Sequence, residues 1–336
     1  MKSVVCYPDG IYMADSGHGS QPRLAAAYFI VDHGRVAVID TGSNASVPHI
    51  LAALAGLDIA PEMVDWVILT HLHLDRVGGA GSLMCALPHA RVAVHPGDAL
   101  YLADPAALWE KTVAVYGAEQ TFRLYGRLTP LDEHRIVATH DGMTLPLGER
   151  TLRVFDAPGH TRRHIVIWDE LACAFFTGDA FGVSYREFDV GGRSFVFPTT
   201  ASGQFDPDAM LGSIERMLAH GPQQMFLAHY GRVAGVERLA GDLCRLIHAQ
   251  VALARAAHGS GIARHVQILA GLDELVREEC ARQRWAVNEK ISLNLLRPDL
   301  DLNAQGLGGW LDARQDAAAL DAFNAQEDDL AEAAVA

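Results

Sequence analysis

The stretch THLHLDRVGGAG, residues 70–81, places His71, His73 and Asp75 at every second position. On an extended segment, side chains at i, i+2 and i+4 point to the same side, so these three can converge on one spot. Imidazole and carboxylate groups are suitable ligands for zinc, iron or manganese. The spacing therefore indicates a metal site.

Three further candidate ligands follow later apolar runs, each in a turn that contains glycine. They are His160 in APGHT, Asp179 in TGDA and His229 in AHYG. Glycine lets backbone segments pack closely there, and α/β proteins keep their sites at the carboxyl ends of strands. A lone histidine is usually structural, but several strand ends that supply ligands in succession favour a metal centre.

Two residues are candidates for a supporting position behind the ligands. Asp40 in VIDTG follows a predicted strand and is expected to orient a ligand histidine, as carboxylates behind metal sites do. His164 lies four residues after His160, where it could either donate a hydrogen bond towards the site or serve a structural role in the core.

The elements that must position these residues alternate between strands and helices. AAAYFIVD and RVAVIDTG predict a β-hairpin joined by His-Gly, and VDWVILTH predicts a buried strand that ends at the first motif. TLRVFDAPGH, HIVIWDE, CAFFTGDAF and QMFLAHYG predict four more strands, whereas VPHILAALAGL, GAGSLMCALP and residues 98–126 predict helices. The pattern is typical of an α/β protein.

The domain organisation is predicted from the change of pattern near residue 234. Residues 1–233 form the predicted catalytic domain, and 234–312 form a helical extension packed on it. Residues 313–336, rich in Ala, Asp and Glu, are expected to form a frayed helix or a disordered tail. The apolar helix faces of the extension suit either a hydrophobic substrate pocket or a homodimer contact.

The composition excludes several classes of partner. The 336 residues carry a formal net charge of −14, which argues against nucleic acid as a ligand. No apolar run is long enough to span a bilayer, and no N-terminal targeting segment is evident, so we expect a cytoplasmic protein without a membrane partner. Five scattered cysteines without a C-x-x-C pair fit a reducing compartment.

At this point the sequence resembles a known family. VIDTG, THLHLD, APGHT, TGDA and AHYG resemble the five ordered motifs of the metallo-β-lactamase superfamily, over roughly residues 20–235. FGVSYREFD, FPTT, QFDPDAM and the C-terminal LNAQGLGGWLD resemble uncharacterised bacterial hydrolases of this fold that are glyoxalase-II-like. The resemblance implies a four-layer αββα sandwich with the metal centre at one edge between two sheets.

The resemblance also implies a ligand set and a reaction. One zinc ion would bind His71, His73 and His160, and a second would bind Asp75, the residue at 76 and His229, with Asp179 as a bridge. A metal-bound hydroxide would attack an ester, thioester, lactone, amide or phosphoester of a small-molecule substrate.

Proton transfer and oxyanion binding also have candidates. Asp75 or Asp179 is the expected proton acceptor during turnover. Tyr230 and Tyr185 could each hydrogen-bond a developing oxyanion, or could equally be packed aromatic residues.

This chain departs from the family at Arg76, where histidine is usual. A guanidinium group has only donors and stays protonated, so it cannot coordinate a cation. A unit charge about 4 Å from a divalent ion, at an effective dielectric constant of about 20, is repelled by roughly 8 kcal/mol. Either Arg76 swings away and leaves a weakened second site, or it fills that site and pairs with the carboxylates. We expect reduced affinity at the second site.

Two other functions remain open at this stage. Persulfide dioxygenases of this fold use one iron held by positions equivalent to His71, His160 and Asp179, all present here. A metal-poor pseudoenzyme or ligand-sensing module is the third possibility. A single zinc ion is enough for hydrolysis, because it can lower the pKa of its bound water to about 7.

Overall fold

The computed structural model describes residues 4–18, 22–200 and 203–333. Within these ranges the strands form one sheet of seven and one of six. The first sheet has the spatial order β1 (Val5–Cys6), β2 (Ile11–Asp15), β3 (Ala26–Asp32), β4 (Arg35–Ile39), β5 (Val64–Ile68), β6 (Arg91–Val94) and β7 (Ile136–Ala138). The second has the order β13 (Gly231–Ala234), β12 (Gln224–Leu227), β11 (Ala174–Gly178), β10 (Ile165–Asp169), β9 (Arg150–Asp156) and β8 (Thr144–Leu147).

Both sheets mix parallel and antiparallel pairs. β1 to β4 form an antiparallel meander, and β4 to β7 run parallel. The predicted hairpin is confirmed, because Asp32 pairs with Arg35 across the turn at His33 and Gly34. In the second sheet only the pair β11 and β12 is parallel.

Helices cover the outer face of each sheet. Those beside the first sheet are α1 (Val47–Gly56), α2 (Leu74–Val77), α3 (Ala80–Ala86), α4 (Ala99–Ala103), α5 (Ala106–Tyr116) and α6 (Ala118–Tyr125). Those beside the second are α7 (Pro207–Leu218), α8 (Val236–Ala256), α9 (Gly261–Gln283) and α10 (Glu289–Ala333). The four-layer αββα sandwich with C-terminal helices is therefore confirmed.

The strand sequences explain the layers, because successive side chains point to opposite faces of a sheet. In β3, Phe29 packs under the first set of helices, whereas Ile30 faces the second sheet. In β5, Val67 and Ile68 divide in the same way. Apolar residues on both faces therefore allow the two sheets to share an interior core that reaches Phe226.

Within the described residues, the C-terminal helices pack on the second sheet and share its outer core. Leu243 of α8, Leu272 of α9 and Leu300 of α10 belong to the same apolar cluster as Phe175 of β11. The proposed boundary near residue 234 stays a prediction. The backbone is helical through 313–333, and residues 334–336 of the predicted tail lie outside the described residues. No helix in the described ranges combines the length and apolarity that crossing a membrane would take.

Candidate metal centre

Four side chains bring their ligand atoms to one point between the sheets. His71, His73, His160 and Asp179, which we call the ligand group, each offer one atom, and these atoms lie within 4.8 Å of one another. Nδ1 of His73 is 2.9 Å from Nε2 of His71 and 3.3 Å from Nε2 of His160. Oδ2 of Asp179 lies 3.6 Å from Nε2 of His71 and 3.5 Å from Nε2 of His160. The structure thus brings these four residues together, as the sequence predicts.

The ligand group is assembled from strand ends. His71 and His73 follow β5, His160 follows β9 and Asp179 follows β11. Asp75 lies outside the group, because the chain leaves its extended path at His73 and enters α2. The expectation that an extended i, i+2, i+4 spacing unites all three residues of the first motif is therefore wrong for Asp75.

Gly178 allows Asp179 to enter the group from β11. Its backbone has φ +51°, in the left-handed region that favours glycine. A Cβ there would lie 2.7 Å from Oγ1 of Thr70 and 2.8 Å from Nε2 of His164. A side chain at this position would therefore displace the residues that pack behind the ligands.

Asp40 supports His71 through Thr70. The Asp40 carboxylate accepts a hydrogen bond from the Thr70 amide at 2.9 Å and from its hydroxyl at 3.0 Å. The Thr70 hydroxyl also lies 3.1 Å from Nδ1 of His71. Because its own hydrogen is donated to Asp40, it accepts a hydrogen bond from the Nδ1–H group, and the lone pair of Nε2 then faces the ligand group. Burial raises the pKa of Asp40 to about 7, with Arg76 opposing that rise. Asp40 thus orients His71 as predicted, but it does so through Thr70, which was not among the predicted site residues.

His160 is oriented by a loop that α10 holds in place. Its Nδ1 donates to the Thr199 carbonyl at 3.1 Å, which leaves Nε2 free as a ligand atom. The buried Asn303 of α10 accepts from the Thr200 amide at 2.9 Å and donates to the Pro198 carbonyl at 2.7 Å. Asn303 was not predicted as a site residue, and its sequence signal is a lone amide among the apolar residues Leu300, Ala304 and Leu307.

His164 fixes the backbone of Asp179 and packs against His71. Its Nε2 accepts the Asp179 amide proton at 3.2 Å, and its ring stacks on that of His71 at 4.7 Å. Burial lowers the pKa of His164 to about 3, with His160 acting in the same direction. His164 is therefore a neutral residue behind the ligands that accepts a hydrogen bond from Asp179, and not the donor towards the site that was one of its two predicted roles.

The donor set suits a divalent transition ion. Burial, followed by the neighbouring His160, lowers the pKa of His73 to about 4. Burial and the nearby His73 likewise hold the pKa of His71 well below its usual value. Neutral imidazole is the form that binds metal, and three imidazoles with one carboxylate are ligands that zinc and iron both accept. The residues present therefore fit one ion.

A second cluster, which we call the arginine group, lies on the other side of Asp179 and contains Asp75, Arg76 and His229. Nη2 of Arg76 is 3.2 Å from Oδ2 of Asp75 and 3.3 Å from Oδ1 of Asp179. Nε2 of His229 lies 3.4 Å from Oδ2 of Asp75, and its Nδ1 donates to the Leu24 carbonyl at 2.7 Å. Arg76 is only 1% exposed. It therefore fills this position, and the favoured expectation that Arg76 swings away and leaves a weakened second site is wrong.

Charge sets the protonation states in the arginine group. Burial acts to raise the pKa of Asp75, but attraction to Arg76 and the hydrogen bond from His229 outweigh it and hold that pKa well below its usual range. The pKa of Asp179 is lowered in the same way, mainly because Arg76 outweighs its burial. Both carboxylates are thus ionised beside a guanidinium group.

The two tyrosines considered as oxyanion donors have other surroundings. The Tyr185 hydroxyl lies 3.1 Å from Oδ2 of Asp299, an α10 residue that no sequence motif pointed to. Tyr230 belongs to the apolar cluster between the sheets and makes no side-chain hydrogen bond to the ligand group in the described ranges. A catalytic role for Tyr230 stays a prediction.

Comparisons with known proteins show what this chain is similar to. Residues 21–218 match the model of the metallo-beta-lactamase superfamily. The metallo-beta-lactamase fold-containing protein ST1585 of Sulfurisphaera tokodaii is 27% identical over 230 residues, which cover 67% of this chain and 80% of that protein. The crystal structure of ST1585 superposes with a TM-score of 0.64 at 21% identity and covers 90% of this chain and 99% of that one.

Two further relatives add to the comparison. A hydroxyacylglutathione hydrolase of Cupriavidus taiwanensis is 30% identical over 197 residues, which cover 57% of this chain and 58% of that enzyme. The match thus spans less than two thirds of that enzyme. The structure of TTHA1429 from Thermus thermophilus, described as a metallo-beta-lactamase family protein, superposes with a TM-score of 0.63 at 21% identity and covers 92% and 94% of the two chains.

Proposed function

The chain belongs to the metallo-β-lactamase superfamily, and on that premise we propose that it is a hydrolase that works with a divalent metal ion held by the ligand group. One observation carries this proposal: four ligand atoms from three separate strand ends lie within 4.8 Å of one another. Zinc bound there would polarise a substrate carbonyl and lower the pKa of water to about 7.

The chain's own residues orient that chemistry. Thr70 and the Thr199 carbonyl hold His71 and His160 with their Nε2 atoms towards the group. Asp179 shares its carboxylate between these imidazoles and Arg76. Asp75 is likewise paired with Arg76 and His229, so the contacts favour neither of the two predicted proton acceptors over the other.

The hydroxyacylglutathione hydrolases among the relatives make a glutathione thioester the first substrate to test. Simple esters and lactones share the same electrophilic carbonyl and complete the substrate panel. A one-iron dioxygenase is the second candidate, because His71, His160 and Asp179 give two imidazoles and one carboxylate, the set that non-haem iron uses.

Metal analysis followed by activity measurement tests the proposal. The full chain is purified, stripped of metal with a chelator and reloaded with Zn²⁺ or Fe²⁺. The variant His89→Ala, which lacks an exposed histidine outside the ligand group, is treated in the same way and should behave as the wild type does. Hydrolysis of a thioester, ester or lactone that depends on the reloaded metal supports the proposal. Oxygen uptake on glutathione persulfide with Fe²⁺ and no hydrolysis would replace it with the dioxygenase, and failure to bind either ion would overturn both.

A further inference from the structure

Asp179 stands between two cation positions. Its Oδ2 faces Nε2 of His71 and of His160 at 3.6 and 3.5 Å, and its Oδ1 faces Nη2 of Arg76 at 3.3 Å. On the far side, Asp75 and His229 complete a second set of one imidazole and two carboxylate oxygens. Carboxylates that converge in this way need a positive charge between them, and here the charge is a side chain.

We propose that the Arg76 guanidinium is the permanent cation of this second position, so that the site holds one metal ion and not two. The inference rests on the proposed function, because it assumes an ion in the ligand group. A guanidinium group stays protonated and has no lone pair to offer a metal, so it can neither titrate away nor become a ligand. It also balances the charge that would otherwise attract a second divalent ion.

The backbone of Arg76 is fixed from two sides. Its carbonyl accepts from the Thr41 amide at 2.8 Å and from the Thr41 hydroxyl at 2.9 Å, and its amide donates to the His73 carbonyl at 2.8 Å. The backbone is thus held beside β4, and the side chain is 1% exposed. Its position is therefore built into the fold.

Three variants separate charge from ligand capacity. Arg76→His supplies the missing imidazole, Arg76→Lys keeps the positive charge, and Arg76→Gln removes the charge without adding an imidazole. Arg153→His is the matched control, because it replaces an exposed arginine of β9 by histidine. Each metal-free chain is titrated with Zn²⁺ by calorimetry, and bound zinc is counted after equilibrium dialysis.

We expect one zinc ion per chain for the wild type, for Arg76→Lys and for Arg153→His, and a rise towards two for Arg76→His. Arg76→Gln should show a second, weaker binding event, because Asp75, Asp179 and His229 remain. Two ions in the wild type would overturn the inference whether or not any variant folds. One ion in both wild type and a folded Arg76→His would overturn it too and leave the proposed function standing, whereas no ion in the wild type would overturn both.

Discussion

The ligand group and the arginine group contain similar residue types but differ in the source of their positive charge. Both use histidine and aspartate, and both contact Asp179 or contain it, but the ligand group comes from strand ends whereas Asp75 and Arg76 lie in α2. The ligand group combines neutral imidazoles with one carboxylate and contains no cation of its own, so the cation that it binds must come from solution. The arginine group carries its own cation. Two neighbouring pockets of similar composition can thus differ in whether the chain or the solution supplies the positive charge.

The largest expected effect is on the ligand group itself. Replacing His160 by alanine removes one of three imidazoles, and zinc affinity should fall by more than the roughly 10–100-fold that loss of a supporting partner costs. Zinc titration of the stripped protein measures this. His89→Ala, at an exposed position, should leave the affinity unchanged. Wild-type affinity in the His160→Ala protein would show that the ion binds elsewhere.

The arginine group should respond through stability. In Arg76→Ala, Asp75 and Asp179 lose their shared cation, and removing one partner from a buried charge pair costs about 3–5 kcal/mol. Denaturant unfolding of the metal-free protein should show this loss, whereas Arg153→Ala on the surface of β9 should change the free energy of unfolding by less than about 0.5 kcal/mol.

Added zinc should reduce the difference in the free energy of unfolding between Arg76→Ala and wild type. The position that the guanidinium group leaves can accept an ion, and an ion that binds only the folded state stabilises it. If metal-free Arg76→Ala were as stable as metal-free wild type, the proposed electrostatic difference between the two groups would be wrong. This result would mean that the carboxylates do not depend on the guanidinium group for their stability.

The strong strand signals made most of the fold predictable from sequence. β5, β10 and β11 are fully or almost fully buried apolar runs, and the sequence predicts all three. β2, which is mostly buried, and the short β13 were missed, and three other missed strands lack that signal. β1 is two exposed residues, β7 is three residues with no buried member, and β8 contains a proline and alternates between exposed and buried positions.

The site was predictable as a set of residues but not as a set of contacts. Motif order was enough to select His71, His160 and Asp179. No local pattern shows that Thr70 stands between Asp40 and His71, or that Asn303 reaches a loop more than 100 positions earlier in the chain. Whether Arg76 turns inwards or outwards depends on carboxylates brought together by folding, so the sequence left both outcomes open.

Support from behind the ligands gives a smaller effect. Thr70→Val keeps the shape of the side chain but removes the hydroxyl between Asp40 and His71, and zinc affinity should fall by roughly 10–100-fold. Thr70→Ser should retain most of the affinity, since it keeps the hydroxyl. Thr144→Val, at an exposed position of β8, is the matched control. Equal zinc affinity in Thr70→Val and wild type would remove Asp40 and Thr70 from the account of the site.

The smallest effect on the metal should come from α10. Asn303→Ala leaves the Thr200 amide and the Pro198 carbonyl without their partner, at a cost of about 1–3 kcal/mol in the free energy of unfolding. Zinc affinity should fall less than in Thr70→Val, because Asn303 acts on His160 through a loop and not through a direct hydrogen bond to the imidazole.

Comparison with Asn294→Ala, an exposed position of the same helix, separates this contact from a general weakening of α10. If Asn303→Ala destabilises the chain but leaves zinc affinity at the wild-type value, α10 contributes only packing to the second sheet. If zinc affinity also falls, the C-terminal helices help to shape the ligand group, and the difference between the two groups depends on an element far from either motif.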